Sequence, residues 1–183
     1  MAVRPVRIYG DPVLRERARE VTGFDDSLHT LVADMFETMH AYNGVGLAAI
    51  QVGVAQRVLV VDVPVDDQRH ERHTLVNPVL SELSGSETGE EGCLSIPGIY
   101  EDVKRSQRLR VRAQDADGRQ VEFTAEGYLA RAIQHEVDHL DGVLFIDRLG
   151  PLKKQFLRRS LEALARGELP EGYAPPGAHG GAI

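Results

Sequence analysis

Gln134-His135-Glu136-Val137-Asp138-His139, inside the longer stretch Glu126 to Leu140, is where the reading of the fold turns. Leu129, Ala132, Ile133 and Val137 are available for one apolar helical face and Gly142 follows as a stop, so Glu126 to Leu140 is predicted as a helix. At 100° per residue the two histidines lie about 40° apart around its axis, so two imidazoles can share one metal ion. Glu136 projects from the same side. It is not needed as a ligand and is placed to hold and deprotonate a metal-bound water, then return the proton to a leaving amine. A surface helix can carry the same five-residue pattern by chance, and its amphipathic face does not separate the two readings. A third ligand would.

Upstream, Asp25-Asp26-Ser27 supplies capping residues for a second helix, with Leu28, Leu31, Val32, Met35 and Met39 at helical spacing as far as Ala41 or Tyr42. Asn43-Gly44 breaks it. A loop Gly44-Val45-Gly46 and a small-residue stretch lead to Gln51, and Arg57 to Asp62 reads as a buried strand from its β-branched run. A polar loop is expected from Asp66 to His73. Strand-like segments recur at Leu75 to Val79, Arg108 to Ala113 and Val121 to Thr124, with a hairpin turn at Asp117-Gly118, which predicts antiparallel sheet. A last helix is expected from Pro151 to Arg166, stopped by Gly167. The fold class is therefore α+β: one domain over residues 1–168, then a Pro- and Gly-rich tail, 169–183, with too little apolar content from Pro170 onward to fold.

Composition sets the outer bounds. The 183 residues suit one globular domain, 42% hydrophobic and 27% charged residues are ordinary, and no stretch approaches the roughly 20 apolar residues of a membrane span. The N-terminus lacks the apolar core of a signal peptide, so a cytoplasmic address is expected, with no membrane partner. A net charge of −7 argues against broad binding to nucleic acid, DNA included.

The single cysteine, Cys93, is a buried small hydrophobe, a reactive thiol or a metal ligand. Catalytic metal sites need three protein ligands and an open position, and Cys93 in Glu91-Gly92-Cys93-Leu94-Ser95 is the candidate third. Gly92 there lets backbone approach closely, and a thiolate balances the cation. Gly44-x-Gly46-x-x-Ala49 imitates a dinucleotide fingerprint but follows a helix rather than a strand, which argues against that reading. Its glycines suit a loop that admits an extended peptide backbone. Gln51 can donate to a developing oxyanion, or merely bond neighbouring backbone. A structural metal staple needs a fourth protein ligand, and His29, His40, His70, His73 and His179 fall in no matching motif.

Taken together, Gly44 to Gln51, Glu91 to Ser95 and Gln134 to His139 resemble the peptide deformylases, whose motifs run G-x-G-L-A-A-x-Q, E-G-C-L-S and Q-H-E-x-D-H in this order. The likeness extends from Pro5 to Arg166, including Gly10 to Arg15. It implies antiparallel sheets around a central metal-bearing helix. It implies one Fe²⁺ per chain, replaceable by Zn²⁺, Ni²⁺ or Co²⁺, on Cys93, His135 and His139. Glu136 matches the general acid-base residue, and Gln51 with the backbone N–H of Leu94 the oxyanion donors. Gly46 matches the glycine whose backbone meets the substrate, and Gly44, Val45, Tyr100 and Tyr128 are the further substrate-binding candidates. Tyr100 takes the place of an arginine found in many members, and Arg131 that of an apolar residue.

The implied reaction is hydrolysis of the formyl group from the N-terminal formyl-methionine of new polypeptides, a general metalloprotease being the rival enzyme reading. Because such a substrate emerges from the ribosome, Lys153, Lys154, Arg158, Arg159 and Arg166 on the last helix, against only Glu162, suggest weak docking to ribosomal RNA.

Overall fold

Helix α1, Asp26–Ala41, starts where Asp25 accepts hydrogen bonds from the Ser27 and Leu28 backbone N–H groups, satisfying two donors that the first turn leaves unpaired. The computed structural model describes residues 1–176. After α1 come the strands β1 (Gly46–Ala48), β2 (Val58–Pro64), β3 (His70–Ser84), β4 (Glu87–Cys93), β5 (Ile96–Arg105), β6 (Arg108–Gln114) and β7 (Gln120–Glu126). Helices α2, Gly127–Leu140, and α3, Pro151–Ala165, complete the order. Single-turn 3-10 helices occupy Pro12–Arg15, Ala49–Val52 and Phe145–Arg148.

Every strand pairing is antiparallel: one sheet runs β1-β2-β3-β6-β7, and β4 pairs with β5 alone. Strand β2 shows why the large sheet sits at the centre. Its side chains alternate faces, so Leu59, Val61 and Val63 pack with Ala130, Ile133 and Leu140 of α2, while Val58 and Val60 pack with Leu31, Met35 and Met39 of α1. A strand buried on both faces reads as the continuous apolar run that marked it in the sequence. A third cluster joins Ile96, Ile99 and Val103 of β5 to Phe145, Ile146 and Leu164.

The α+β architecture and the central helix agree with expectation, with two corrections. The polar stretch expected as a loop to His73 closes at Arg69, because Asp66 and Arg69 form the turn and His70 already pairs with Pro64. The hairpin β4–β5 was not foreseen: Glu87-Thr88-Gly89-Glu90-Glu91-Gly92 has no apolar alternation, and its register is held by β5 from Glu87↔Arg105 to Cys93↔Ile96. Of the tail beyond Pro170, residues up to 176 lie along the mouth of a cavity described below, and 177–183, with His179, lie outside the described residues. No helix among the described residues is long and apolar enough to cross a membrane.

Candidate metal centre

Helix α2 carries eleven buried residues, its polar motif included, because it lies between the large sheet and the β4–β5 hairpin. Gln134 fixes its position. The Gln134 amide donates to the Ser106 and Ala130 carbonyls at 2.9 Å and accepts from the Ser106 N–H at 3.1 Å, tying the helix to the β5–β6 connection. Asp138, one turn along, accepts from Arg105 at 2.6 Å and from Arg148 through two nitrogens at 2.6 Å each.

This fixed helix presents His135 and His139 to the end of β4. Cys93 Sγ lies 3.3 Å from His139 Nε2, and the two Nε2 atoms lie 3.2 Å apart. All three candidate ligand atoms fall within 4.8 Å of one another. Bonds of about 2.0–2.3 Å to a tetrahedral cation place neighbouring ligand atoms roughly 3.3–3.6 Å apart, so the three converge at close to the spacing one ion requires. No other group of His, Cys, Asp or Glu side chains among the described residues has this convergence. Glu136 Oε2 is buried without a hydrogen-bond partner, which marks the site as built around something polar.

Electrostatics fit the same occupant. Burial pushes the His139 imidazole well below its usual range and keeps it neutral, the form that binds metal. Burial acts in the same direction on His135, but its contacts with Cys93 and Glu91 outweigh this and hold the ring proton. A proton or a metal cation on Nε2 satisfies the same neighbours, while Nδ1–H stays with Glu91 Oε1 at 2.8 Å. Glu91 also accepts from Arg105 Nε and Nη2 at 2.9 Å and from Arg131 Nη1 at 2.8 Å. Burial raises the Glu91 carboxyl, yet Arg105 and His135 prevail and hold it at about 2.

Glu136 has the opposite environment: burial pushes it up to about 7, with His135 opposing. A carboxyl poised there can both take and return a proton near neutral pH. Its Oε1 rests against the backbone of Gly46, since a Cβ built on Gly46 would lie 2.5 Å from that oxygen. Gln51, fully buried in the 3-10 turn after β1, is aimed at the cysteine. Its Oε1 accepts from the Ala48 N–H at 2.8 Å, and its Nε2 faces Ser95 Oγ at 3.1 Å and Cys93 Sγ at 3.6 Å.

These groups open onto a cavity of about 640 Å³. Gly44, Val45 and Gly46 line it beside Leu94, Tyr100 and Tyr128, so every substrate-binding candidate from the sequence faces it. Tyr100 is 64% exposed, yet its ring covers Gly92, where a built Cβ would meet Cε1 at 2.5 Å. Strand β1 is an edge strand, which leaves backbone donors and acceptors available to an extended peptide.

Sequence reasoning assigned no role to Glu91, Arg105, Asp138 or Gln134. Glu91 had a signal: the second nitrogen of a metal-binding histidine needs an acceptor, and Glu91 sits two residues before Cys93. Arg105 lies 14 residues from Glu91 with nothing local to mark it.

Comparison with known proteins converges on one family. A sequence model of polypeptide deformylase matches residues 3–155. The peptide deformylase of Alkalilimnicola ehrlichii is 51% identical over 166 residues, covering 91% of this chain and 93% of that protein. The crystal structure of a peptide deformylase from Legionella pneumophila superposes with a TM-score of 0.83 at 44% identity, over 92% of this chain and 100% of that one. That of peptide deformylase from Thermus thermophilus gives 0.83 at 45% identity, over 90% and 99%.

Proposed function

The chain belongs to the peptide deformylase family, a hydrolase acting on the N-terminal formyl-methionine of nascent polypeptides, and from that premise we propose how its own residues perform the reaction. Cys93, His135 and His139 hold one divalent cation, Fe²⁺ in the cell, with Zn²⁺, Ni²⁺ or Co²⁺ as substitutes. The ligand set alone suits iron and zinc equally, so the choice of iron rests on family resemblance. The observation that carries this reading is the convergence of Cys93 Sγ with the two Nε2 atoms beneath an unpartnered Glu136 oxygen.

A bound cation is a Lewis acid that brings the pKa of water from 15.7 toward about 7. The formyl peptide lies along the free edge of β1, its backbone against Gly44, Val45 and Gly46, with Tyr100 and Tyr128 lining the groove. Glu136 takes the proton of the attacking water. The Gln51 amide, held by Ala48, and the Leu94 N–H donate to the oxygen of the formyl group as it gains charge. Glu136 then hands its proton to the amine, and formate and a free N-terminus leave.

We place this activity in the cytoplasm, in one catalytic domain over 1–168 against which the following residues, to 176, pack. Weak docking of α3 on ribosomal RNA is supported by Lys154 and Arg159, which have no ion-pair partner among the described residues, and by the exposed Phe156. Affinity for ribosomes that does not fall with salt would refute it. The reaction is tested by anaerobic formate release from formyl-Met-Ala-Ser. Release is expected, and its absence in metal-replete protein, or cleavage of internal peptide bonds instead, overturns the reading.

A further inference from the structure

The segment that follows α3 forms a wall of the cavity. Pro170 seats on Gly98 in β5, beyond the Leu94-Ser95 turn of the β4–β5 hairpin, where a built Cβ would meet Pro170 Cγ at 2.9 Å. The chain then reverses: the Tyr173 N–H donates to the Pro170 carbonyl at 3.0 Å, and Gly172 takes the third place of this four-residue turn with φ +79°. Positive φ at that place selects glycine, so the turn is written in Pro170-Glu171-Gly172-Tyr173 itself. It carries Tyr173 to the cavity that Tyr42 also lines, where burial raises the Tyr173 phenol. Tyr173, Ala174 and Pro176 line the same cavity as Gly46, Cys93 and Glu136.

Such a wall is stiff. Prolines at 170, 175 and 176 restrict the backbone, so little conformational freedom is lost when something packs against it. It also leaves room, since the cavity of about 640 Å³ persists with the segment in place and lies within the range of small-ligand pockets. A substrate that enters by its N-terminus puts the formyl group at Glu136, and the rest of its chain must leave along the cavity that Tyr42, Gly98 and this segment line together.

We propose that Pro170–Pro176 is part of the substrate groove and that Tyr173 is a specificity-determining residue, packing on substrate residues downstream of the formyl-methionine. This rests on the deformylase reading of the site. The test compares the metal-loaded full-length protein, a chain ending at Glu168, Y173A and Y173F, using formyl-Met-Ala and formyl-Met-Ala-Ser-Lys. In the truncated chain and Y173A, KM for the longer peptide is expected to rise about 3- to 10-fold, the range of one aromatic packing contact, with kcat held. The shorter peptide changes far less, so the length preference collapses, while Y173F keeps the parent values. Equal changes for both peptides, or none, overturn the inference. A KM that falls on truncation also overturns it, because the segment would then compete with substrate. Thermal midpoint and metal content separate a groove effect from a damaged fold, and Y173A serves should the shortened chain unfold. Parent protein that releases formate from neither peptide would instead sink the deformylase reading, and this inference with it.

Discussion

Replacing Glu91 with Gln keeps the side chain's shape and removes one negative charge from the point where Arg105, Arg131 and His135 converge. The carboxylate accepts four hydrogen bonds, at 2.9, 2.9, 2.8 and 2.8 Å, from His135 and from two arginine side chains that are only 3% and 9% exposed. An amide offers one acceptor oxygen. Whichever way it turns, its NH₂ faces two donors: Arg105 Nη2 and His135 Nδ1 on one side, or Arg105 Nε and Arg131 Nη1 on the other. Removing one partner of a buried ion pair costs about 3–5 kcal/mol. Arg105 keeps Asp138 at 2.6 Å, which puts E91Q near the lower figure, about 3 kcal/mol. For a chain of this length that corresponds to a fall in Tm of roughly 6–12 °C. Loss of the acceptor that orients His135 should weaken metal binding about 10- to 100-fold. Urea unfolding of metal-free and zinc-loaded protein, with zinc competition, measures both. Stability within about 1 kcal/mol of the parent, with unchanged zinc affinity, would refute the claim that Glu91 joins the hairpin to the helix.

Other consequences are equally direct. E136Q should retain one metal per chain and lose about 10²- to 10⁴-fold in kcat; turnover within a few-fold of the parent removes Glu136 from the proton-transfer role. G46A places a Cβ 2.5 Å from Glu136 Oε1, so the carboxylate must shift, with kcat falling by on the order of 10²-fold at constant metal content. Unchanged turnover in G46A would show that the close approach is not needed. Acid should erase the contribution of Asp147: burial raises its carboxyl, but Arg15 and the Leu144 N–H bring it below the ordinary 3.8. A depressed folded-state value means the contribution is complete above about pH 4 and fades as pH falls through the folded value. The stability gap between the parent and D147N, followed by urea titration from neutral pH downward, should therefore close below that point, and a gap that stays constant contradicts it.

Legibility of the fold in the sequence followed the physics of each element. Helix α2 was readable because its apolar face and terminal glycine are local signals, and β2 because both of its faces are buried. The β4–β5 hairpin was hidden, since a strand of Glu, Thr and Gly is specified by its partner and by Arg131, whose guanidinium reaches the Glu87 and Val103 carbonyls at 2.8 Å. In the site, helical spacing brought the two histidines together without tertiary information. Cys93 required its motif, because 42 residues separate it from His135 and only the packed hairpin closes that distance. The acceptors and counter-charges behind these residues, Arg105 above all, come from segments with no pattern of their own.

Metal stoichiometry and ligand identity, measured on one anaerobically prepared sample alongside formate release, test the central claim most directly. One divalent ion per chain is predicted, with absorption spectroscopy finding one sulfur and two imidazole nitrogens plus oxygen from water. Formate release from formyl-Met-Ala-Ser should rise in proportion to metal content. A site filled by four protein ligands, sulfur absent from the coordination sphere, or formate release that persists after complete metal removal would contradict it.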